Sequence, residues 1–183
     1  MNLEYESVSC CDLCVNFETK LIDEKGHIVQ CRSCELKFVN PRPTQRDISK
    51  IYSLNYGDCD RWGKVESEAK FRYKARFYFL NRFIHRGRIL DTAAGLGEFL
   101  SQAKQINRWQ CFGTETSRYA VEFTKKEFDI ELSIGQLEDI GYAKDFFDAV
   151  CFWHTLEHLP YLSKAVKETA RILKDDGFLF IAP

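Results

Sequence analysis

Four cysteines are spaced to hold a metal. Cys11-Asp12-Leu13-Cys14 and Cys31-Arg32-Ser33-Cys34 are two C-x2-C knuckles separated by 16 residues. That spacing lets both sulfurs of a knuckle face one ion while a short hairpin brings the second pair opposite. The intervening stretch reads as the hairpin, with Asp23-Glu24-Lys25-Gly26 as its turn and Ile28-Val29 opening the return strand. Disulfides would require an oxidising compartment, and a thioredoxin-type pair would need βαβ surroundings that Cys11 lacks. The expected occupant is zinc. Four thiolates leave no open coordination position, so the ion would be structural, replacing a core that so small a module cannot build. Cys10 competes with Cys11 at a less suitable three-residue gap to Cys14, and Cys59, Cys111 and Cys151 read as core or surface thiols.

A second group of residues suits a cationic nucleoside. Arg88-Ile89-Leu90-Asp91 reads as a strand running into Thr92-Ala93-Ala94-Gly95-Leu96-Gly97 and then a helix. Glycines there let the backbone approach a ligand at the helix N-terminus. A dinucleotide fingerprint would require glycine where Leu100 stands, so that match fails. An acid closing the strand suits a cation instead, and Asp91 could face an ammonium group directly or through water. Glu115, 24 positions on, closes the next strand, where a carboxylate can accept both hydroxyls of a ribose. A ribose and an amino group without a phosphate is the profile of S-adenosylmethionine.

From Ile89 to Pro183 the chain resembles the class I S-adenosylmethionine-dependent methyltransferases. Asp91 to Gly97 is similar to their D-x-G-x-G-x-G loop, and Phe112-Gly113-Thr114-Glu115-Thr116-Ser117 to their ribose-binding strand. Gly135-Gln136-Leu137-Glu138-Asp139 resembles their adenine-contacting segment. Phe147-Asp148-Ala149-Val150 with Leu156-Glu157-His158-Leu159 resembles their fourth strand and its exit, and Arg171 to Gly177 their R-x-L-K-P-G-G turn. The four-cysteine module with Asn40-Pro41-Arg42-Pro43 and Tyr52/Tyr56 is similar to a bacterial subgroup often linked to sugar or polysaccharide tailoring. The resemblance implies that Asp91, Ala93, Gly95 and Gly97 border the methionine part and that Glu115, with Thr116 beside it, meets the ribose. It places Gln136 and Leu137 at the adenine edge and Phe152-Trp153 under the cofactor. Ala93 stands where the family has its first glycine, which is tolerable if its φ is negative. The family sheet has seven strands and the motifs here run only to the fifth. The expectation is therefore a fragment, or a fifth-strand edge covered by something else such as a second copy.

His154-Thr155-Leu156-Glu157-His158 literally matches the H-x-x-E-H of inverzincin proteases, but Pro160 breaks any helix at the next turn. RNA-modifying relatives bind a divalent ion through Glu-x-x-Glu-His, where His154 replaces the first acid. The remaining options are a general base, for which His154 is the better candidate, and a histidine that fixes a loop, the reading for His158. Lys70 to Arg88 carries seven cations and no acid, interleaved with six aromatics. Such a helix could meet phosphates and bases, or pack its rings on the sheet and leave its cations solvated, and the second reading is preferred.

The elements that must position these residues follow from periodicity. A helix is expected over 66–85, with Phe71, Ala75, Tyr78, Phe79 and Phe83 as its packing stripe and Gly87 ending it. Strands at 88–91, 109–115, 130–134, 147–153 and 178–182 alternate with helices at 98–106, 118–128 and 162–173, which means an α/β, Rossmann-like parallel sheet with flanking helices. The domains expected are a zinc ribbon over 1–57, a linker and basic aromatic helix over 58–87, and a cofactor-binding domain over 88–183. The chain has 183 residues, 26 Lys+Arg against 27 Asp+Glu and 45% hydrophobic residues, the composition of a globular protein and not of a disordered or fibrous one. No apolar run approaches the ~20 residues of a membrane span. The acidic start is no signal peptide, so a cytoplasmic location is expected. The function expected is methyl transfer from S-adenosylmethionine to a small molecule, for instance a sugar or polysaccharide precursor. The rivals are an RNA acceptor and a non-catalytic zinc- and cofactor-binding scaffold.

Overall fold

The computed structural model describes residues 3–48, 50–51 and 67–182. The boundary expected between residues 57 and 58, the Tyr52/Tyr56 pair and Cys59 lie outside the described residues. The chain divides into two compact units, Met1–Tyr52 with Pro160–Ser163, and Ser53–Leu159 with Lys164–Pro183.

In the first unit, β1 (Tyr5–Glu6) pairs antiparallel with β5 (Arg42–Pro43), and β2 (Thr19–Asp23), β3 (Ile28–Cys31) and β4 (Lys37–Val39) form a three-stranded antiparallel sheet. The hairpin turns where the sequence places it. Asp23 accepts hydrogen bonds from the N–H groups of Lys25 and Gly26, both at 3.1 Å. A Cβ on Gly26 would sit 2.8 Å from that carboxylate, which would have to swing aside to admit it; the left-handed residue of the turn is His27, with φ 53°. Asn40 brackets the backbone of Val8, accepting from its N–H at 2.8 Å and donating to its carbonyl at 3.0 Å. Buried Asp47 accepts from the N–H of Glu4 and from Lys50, which holds its carboxyl below the usual range. Apolar burial is nearly absent. Among the described residues up to 51, only Cys11, Val29 and Cys31 are buried hydrophobics, while Leu13, Val15, Phe17, Leu21 and Ile22 are exposed.

The second unit is an α/β sheet with strand order β10-β9-β6-β7-β8, parallel throughout. Its elements are α1 (Ser67–Leu80), β6 (Gly87–Thr92), α2 (Glu98–Gln105), β7 (Trp109–Glu115), α3 (Arg118–Phe128), β8 (Ser133–Ile134), α4 (Leu137–Ile140), β9 (Phe147–Trp153), α5 (Leu162–Ile172) and β10 (Leu173–Ala182). Successive strand residues point to opposite faces, so neighbours divide between two cores. Ile89, Ala149 and Cys151 join Phe77, Leu80, Phe99, Leu100 and Ala103 on one side. Leu90, Val150 and Phe152 join Leu137, Ala165 and Ile172 on the other.

Four expectations are corrected. The first helix ends at Leu80, five residues before His85, because its last turn tightens: Arg82 donates to Phe79 and Phe83 to Leu80. Gly87 opens β6 with φ 130°, where a Cβ would lie 2.5 Å from Asp148. The packing stripe is also different. Phe77 and Leu80 are buried, whereas Phe71, Tyr78, Phe79 and Phe83 are exposed. A helix with rings on every side has no unique apolar phase, and contact with the sheet selects one. The strand expected from Ile130 begins only at Ser133, since Ile130 and Leu132 pack into the core before the pairing with Thr114 starts. Finally, β10 begins at Leu173. Regular pairing runs from Phe178 to Ala182, and Asp175-Asp176-Gly177 forms an irregularity inside the strand where a turn is expected.

Candidate functional site

Two constellations carry chemistry, one in each unit. In the first unit the two knuckles share a backbone pattern. Val15 donates to the carbonyl of Cys11 and Glu35 to that of Cys31, while the N–H groups of Cys11 and Cys31 reach the carbonyls of Asn16 and Leu36. Val15 and Glu35 both sit at positive φ, 60° and 62°, which costs roughly 1–2 kcal/mol for each L-residue. The turns bring the Sγ atoms of Cys11, Cys14, Cys31 and Cys34 within 4.8 Å of one another. The pairs Cys11–Cys34 and Cys14–Cys31 stand at 3.5 Å. That is far beyond a disulfide bond and close to the ~3.8 Å edge of a tetrahedron with 2.3 Å Zn–S bonds. The Asn16 N–H, against a smaller burial effect, draws the Cys14 thiol down to about 6. Cys34 is pushed up to about 12: the Leu36 N–H opposes this but is outweighed by desolvation and the neighbouring sulfurs. Four thiols this close cannot all ionise without a cation between them. Cys10 is not in the cluster, and Cys151 is a buried core thiol.

In the second unit, β6 and β7 end side by side and the glycine-rich turn is tied to β7. The N–H of Ala94 donates to the carbonyl of Thr114 at 2.9 Å, and that of Gly95 to Glu115 Oε2 at 2.9 Å. Glu115 Oε1 also accepts from the N–H groups of Thr116 at 2.7 Å and Ser117 at 2.9 Å. Although only 4% exposed, Glu115 is therefore hydrogen-bonded at both oxygens, with Oε2 receiving a single donor. Gly97 is required twice over. Its φ is 76°, and a Cβ would lie 2.4 Å from Thr124. Ala93 departs from the expectation of negative φ: it adopts 51°, the left-handed turn by which the chain leaves β6. Ala93 thus carries a methyl group in a backbone conformation that favours glycine, at a modest strain cost.

Asp91 is 3% exposed, and its burial pushes the carboxyl well above the usual range. Arg76 opposes that shift, while Glu115 and Glu98 reinforce it. Burial raises Glu98 as well. The acids at this end of β6 and β7 are partly answered by one cation. Arg76 stands over the rings of Trp153 at 5.1 Å and Tyr73 at 5.4 Å, and Tyr73 feels both Glu98 and Asp91. In sequence Arg76 is one of several cations expected to be solvated. Its place follows once Phe77 and Leu80 set the phase of α1, because it then flanks the buried stripe.

Ala93, Glu115, Thr116, Gln136, Leu137 and Phe152 line one cleft, with Thr92, Thr114, Gly135, Glu138, Thr155 and Leu159 added by the structure. Asp91, Gly95, Gly97 and Trp153 do not line it. The cleft holds about 20 Å3 of free space, room for one water, so a nucleoside would have to part its walls. His154 follows β9 with φ 51°, more than half exposed, its Nδ1 3.5 Å from Glu157 Oε1. His158 Nε2 is 4.0 Å from the same oxygen. The three groups do not converge on a metal-sized point.

The model of a methyltransferase domain matches residues 90–181, half of the chain, and spans the turn, both strand-end acids and β9. The chain belongs to this methyltransferase family. Among relatives of the domain, the uncharacterised methyltransferase YcgJ of Bacillus subtilis is 29% identical over 102 residues, 51% of this chain and 40% of its own length. The ubiquinone/menaquinone biosynthesis C-methyltransferase UbiE of Desulfotalea psychrophila is 26% identical over 135 residues, 71% of this chain and 55% of its own. The chain thus spans about half the length of the curated relatives it matches. In fold, it is similar to a crystal structure of a methyltransferase from Methanococcus maripaludis, with TM-score 0.62 at 19% identity, covering 76% of this chain and 65% of that one. No described helix of this methyltransferase-family chain is long and apolar enough to cross a membrane.

Proposed function

We propose that the chain carries the S-adenosylmethionine-binding part of a methyltransferase for a small-molecule acceptor, with a sugar or polysaccharide precursor as the first class to try. The observation that carries this reading is the placement of Asp91 and Glu115 at adjacent strand ends, linked by the Gly95 N–H to Glu115. The residues fit the cofactor. Asp91 and Glu98 would face its ammonium and sulfonium charges, and Arg76 its carboxylate. Glu115 would hold the ribose diol, Gln136 and Leu137 the adenine edge, and Phe152 and Trp153 the underside. The cofactor supplies a methyl group on a sulfonium carbon, for which alignment and exclusion of water do most of the work. His154, oriented by Glu157, would take the proton of a hydroxyl or carbon acid acceptor.

The same reading keeps three parts: a zinc ribbon over 1–57 with a structural ion on Cys11, Cys14, Cys31 and Cys34, a linker over 58–87, and the cofactor domain over 88–183. Isothermal calorimetry with S-adenosylhomocysteine tests the central part. Wild type is expected to bind, and Arg76→Ala to bind at least about tenfold more weakly, one charge-assisted contact being worth roughly 1.5–3 kcal/mol. Adenosine, which lacks the carboxylate, should bind both proteins alike. Absence of heat with wild type would defeat the proposal.

Binding should also depend on pH through Asp91. Burial raises its carboxyl well above the usual range in the free protein, and it must be ionised to receive an ammonium group, so binding releases a proton wherever the free carboxyl is protonated. Affinity therefore rises with pH through the raised range of this carboxyl. Titrations between about pH 5 and 8 should show the rise in wild type, and Asp91→Asn should flatten it. A flat wild-type profile would remove Asp91 from this role.

A further inference from the structure

A cavity of about 570 Å3, distinct from the acid-lined cleft, is lined by Tyr78, Asn81, Arg82, His85, Ile106 and Arg108. It belongs to the opposite end of the sheet. Arg82 and His85 precede β6 and Arg108 precedes β7, whereas Asp91 and Glu115 lie at the far ends of those strands. Six residues of strand span roughly 20 Å, so a molecule in this cavity is not positioned to receive a methyl group at the other rim.

The lining contains no acid. Tyr78, Arg82, His85 and Arg108 are exposed, and neither arginine nor His85 makes an ion pair with a described residue. Other cations, among them Lys50, Lys104, Lys125, Arg171 and Lys174, do pair with carboxylates. The preferred expectation for this helix is rings packed on the sheet with cations solvated. The packing is reversed at two positions, since Phe71 is 73% and Tyr78 78% exposed. These two rings, with Lys74 between them, occupy the face of α1 opposite the buried Phe77 and Leu80. Exposing two rings among cations forgoes the burial that a ring ordinarily gains. A stacking partner would restore it.

We propose that this cavity binds a phosphorylated nucleoside unit, free or within a single strand, with Arg82, His85 and Arg108 on the phosphate and the Tyr78 ring on the base. The volume suits one such unit, and a ring flanked by cations is the arrangement by which bases are held without sequence preference. The proposal does not rest on the methyltransferase reading and survives its failure.

Fluorescence anisotropy with a labelled 12-mer oligouridylate tests it on the full chain, with UMP and inorganic phosphate as competitors. Two arginine–phosphate contacts predict a salt slope of about −1.4, so affinity falls about sevenfold between about 50 and 200 mM salt. The Arg82→Ala/Arg108→Ala double variant, altered only at exposed positions, should keep its unfolding midpoint and lose no more than about threefold over the same range. Tyr78→Ala should weaken binding at least about fivefold at every salt concentration. Competition by UMP would identify the free nucleotide as sufficient, and binding of the 12-mer alone would identify the strand. Binding that is absent, insensitive to salt or unchanged in the variants would overturn the proposal. Displacement by inorganic phosphate as effective as by UMP would overturn it too, since it leaves the ring no role.

Discussion

If the four clustered cysteines hold a structural zinc, as proposed, Cys11→Ser is expected to leave the N-terminal unit without its ion and to unfold it. Val29 is the one buried hydrophobic among the described residues up to 51 apart from two of the four clustered cysteines, so apolar burial supplies on the order of a few kcal/mol there. Zinc in isolated finger peptides contributes an apparent 10–16 kcal/mol, strongly dependent on pH. The positive φ of Val15 and Glu35 adds a cost that a bound ion would help to offset. Wild type should purify with about one zinc per chain by elemental analysis, and the variant with less than about a tenth of that. Hydrogen exchange read by mass spectrometry should show residues 11–39 losing protection in the variant. A metal-free wild type with protected amides in that stretch would dispose of the structural-zinc reading.

Glu115→Gln should weaken S-adenosylhomocysteine binding on the order of 10²- to 10³-fold. The carboxylate receives three backbone N–H groups, from Gly95, Thr116 and Ser117. A glutamine replaces one acceptor oxygen with a donor, leaving at least one N–H facing an NH2 group, a cost of about 1–3 kcal/mol that the free protein already bears and that lowers its stability rather than its affinity. It also removes a charged acceptor for the diol, about 1.5–3 kcal/mol for each bond. Calorimetry measures the loss, and a retained cooperative melt shows that the variant is folded. Unchanged affinity would mean that Glu115 serves the Gly95 turn alone and that the ribose assignment is wrong.

Glu115 also illustrates how legible the site was. Its position at a strand end, 24 residues after Asp91, could be read from alternation and spacing. Its commitment to three backbone donors could not, because those contacts join two segments that the sheet brings together. Arg76 shows the same limit. Seven cations between residues 70 and 88 look alike in sequence, and only the packing of α1 turns this one toward Trp153 and away from solvent. At Ala93 the glycine rule was too strict, since the turn keeps its left-handed conformation without one.

The sequence by itself determined which elements form and which chemical groups stand at their ends. Knuckle spacing, strand–helix alternation and turn residues are local, and local backbone sterics and hydrogen-bonding needs decide them. The tertiary structure decided which face of the ring-rich helix is covered, which cation meets the buried acid, and where rings and arginines were left open to a ligand. Those outcomes depend on competition for a limited area of sheet surface, and burial is a property of the assembled core that no single segment encodes.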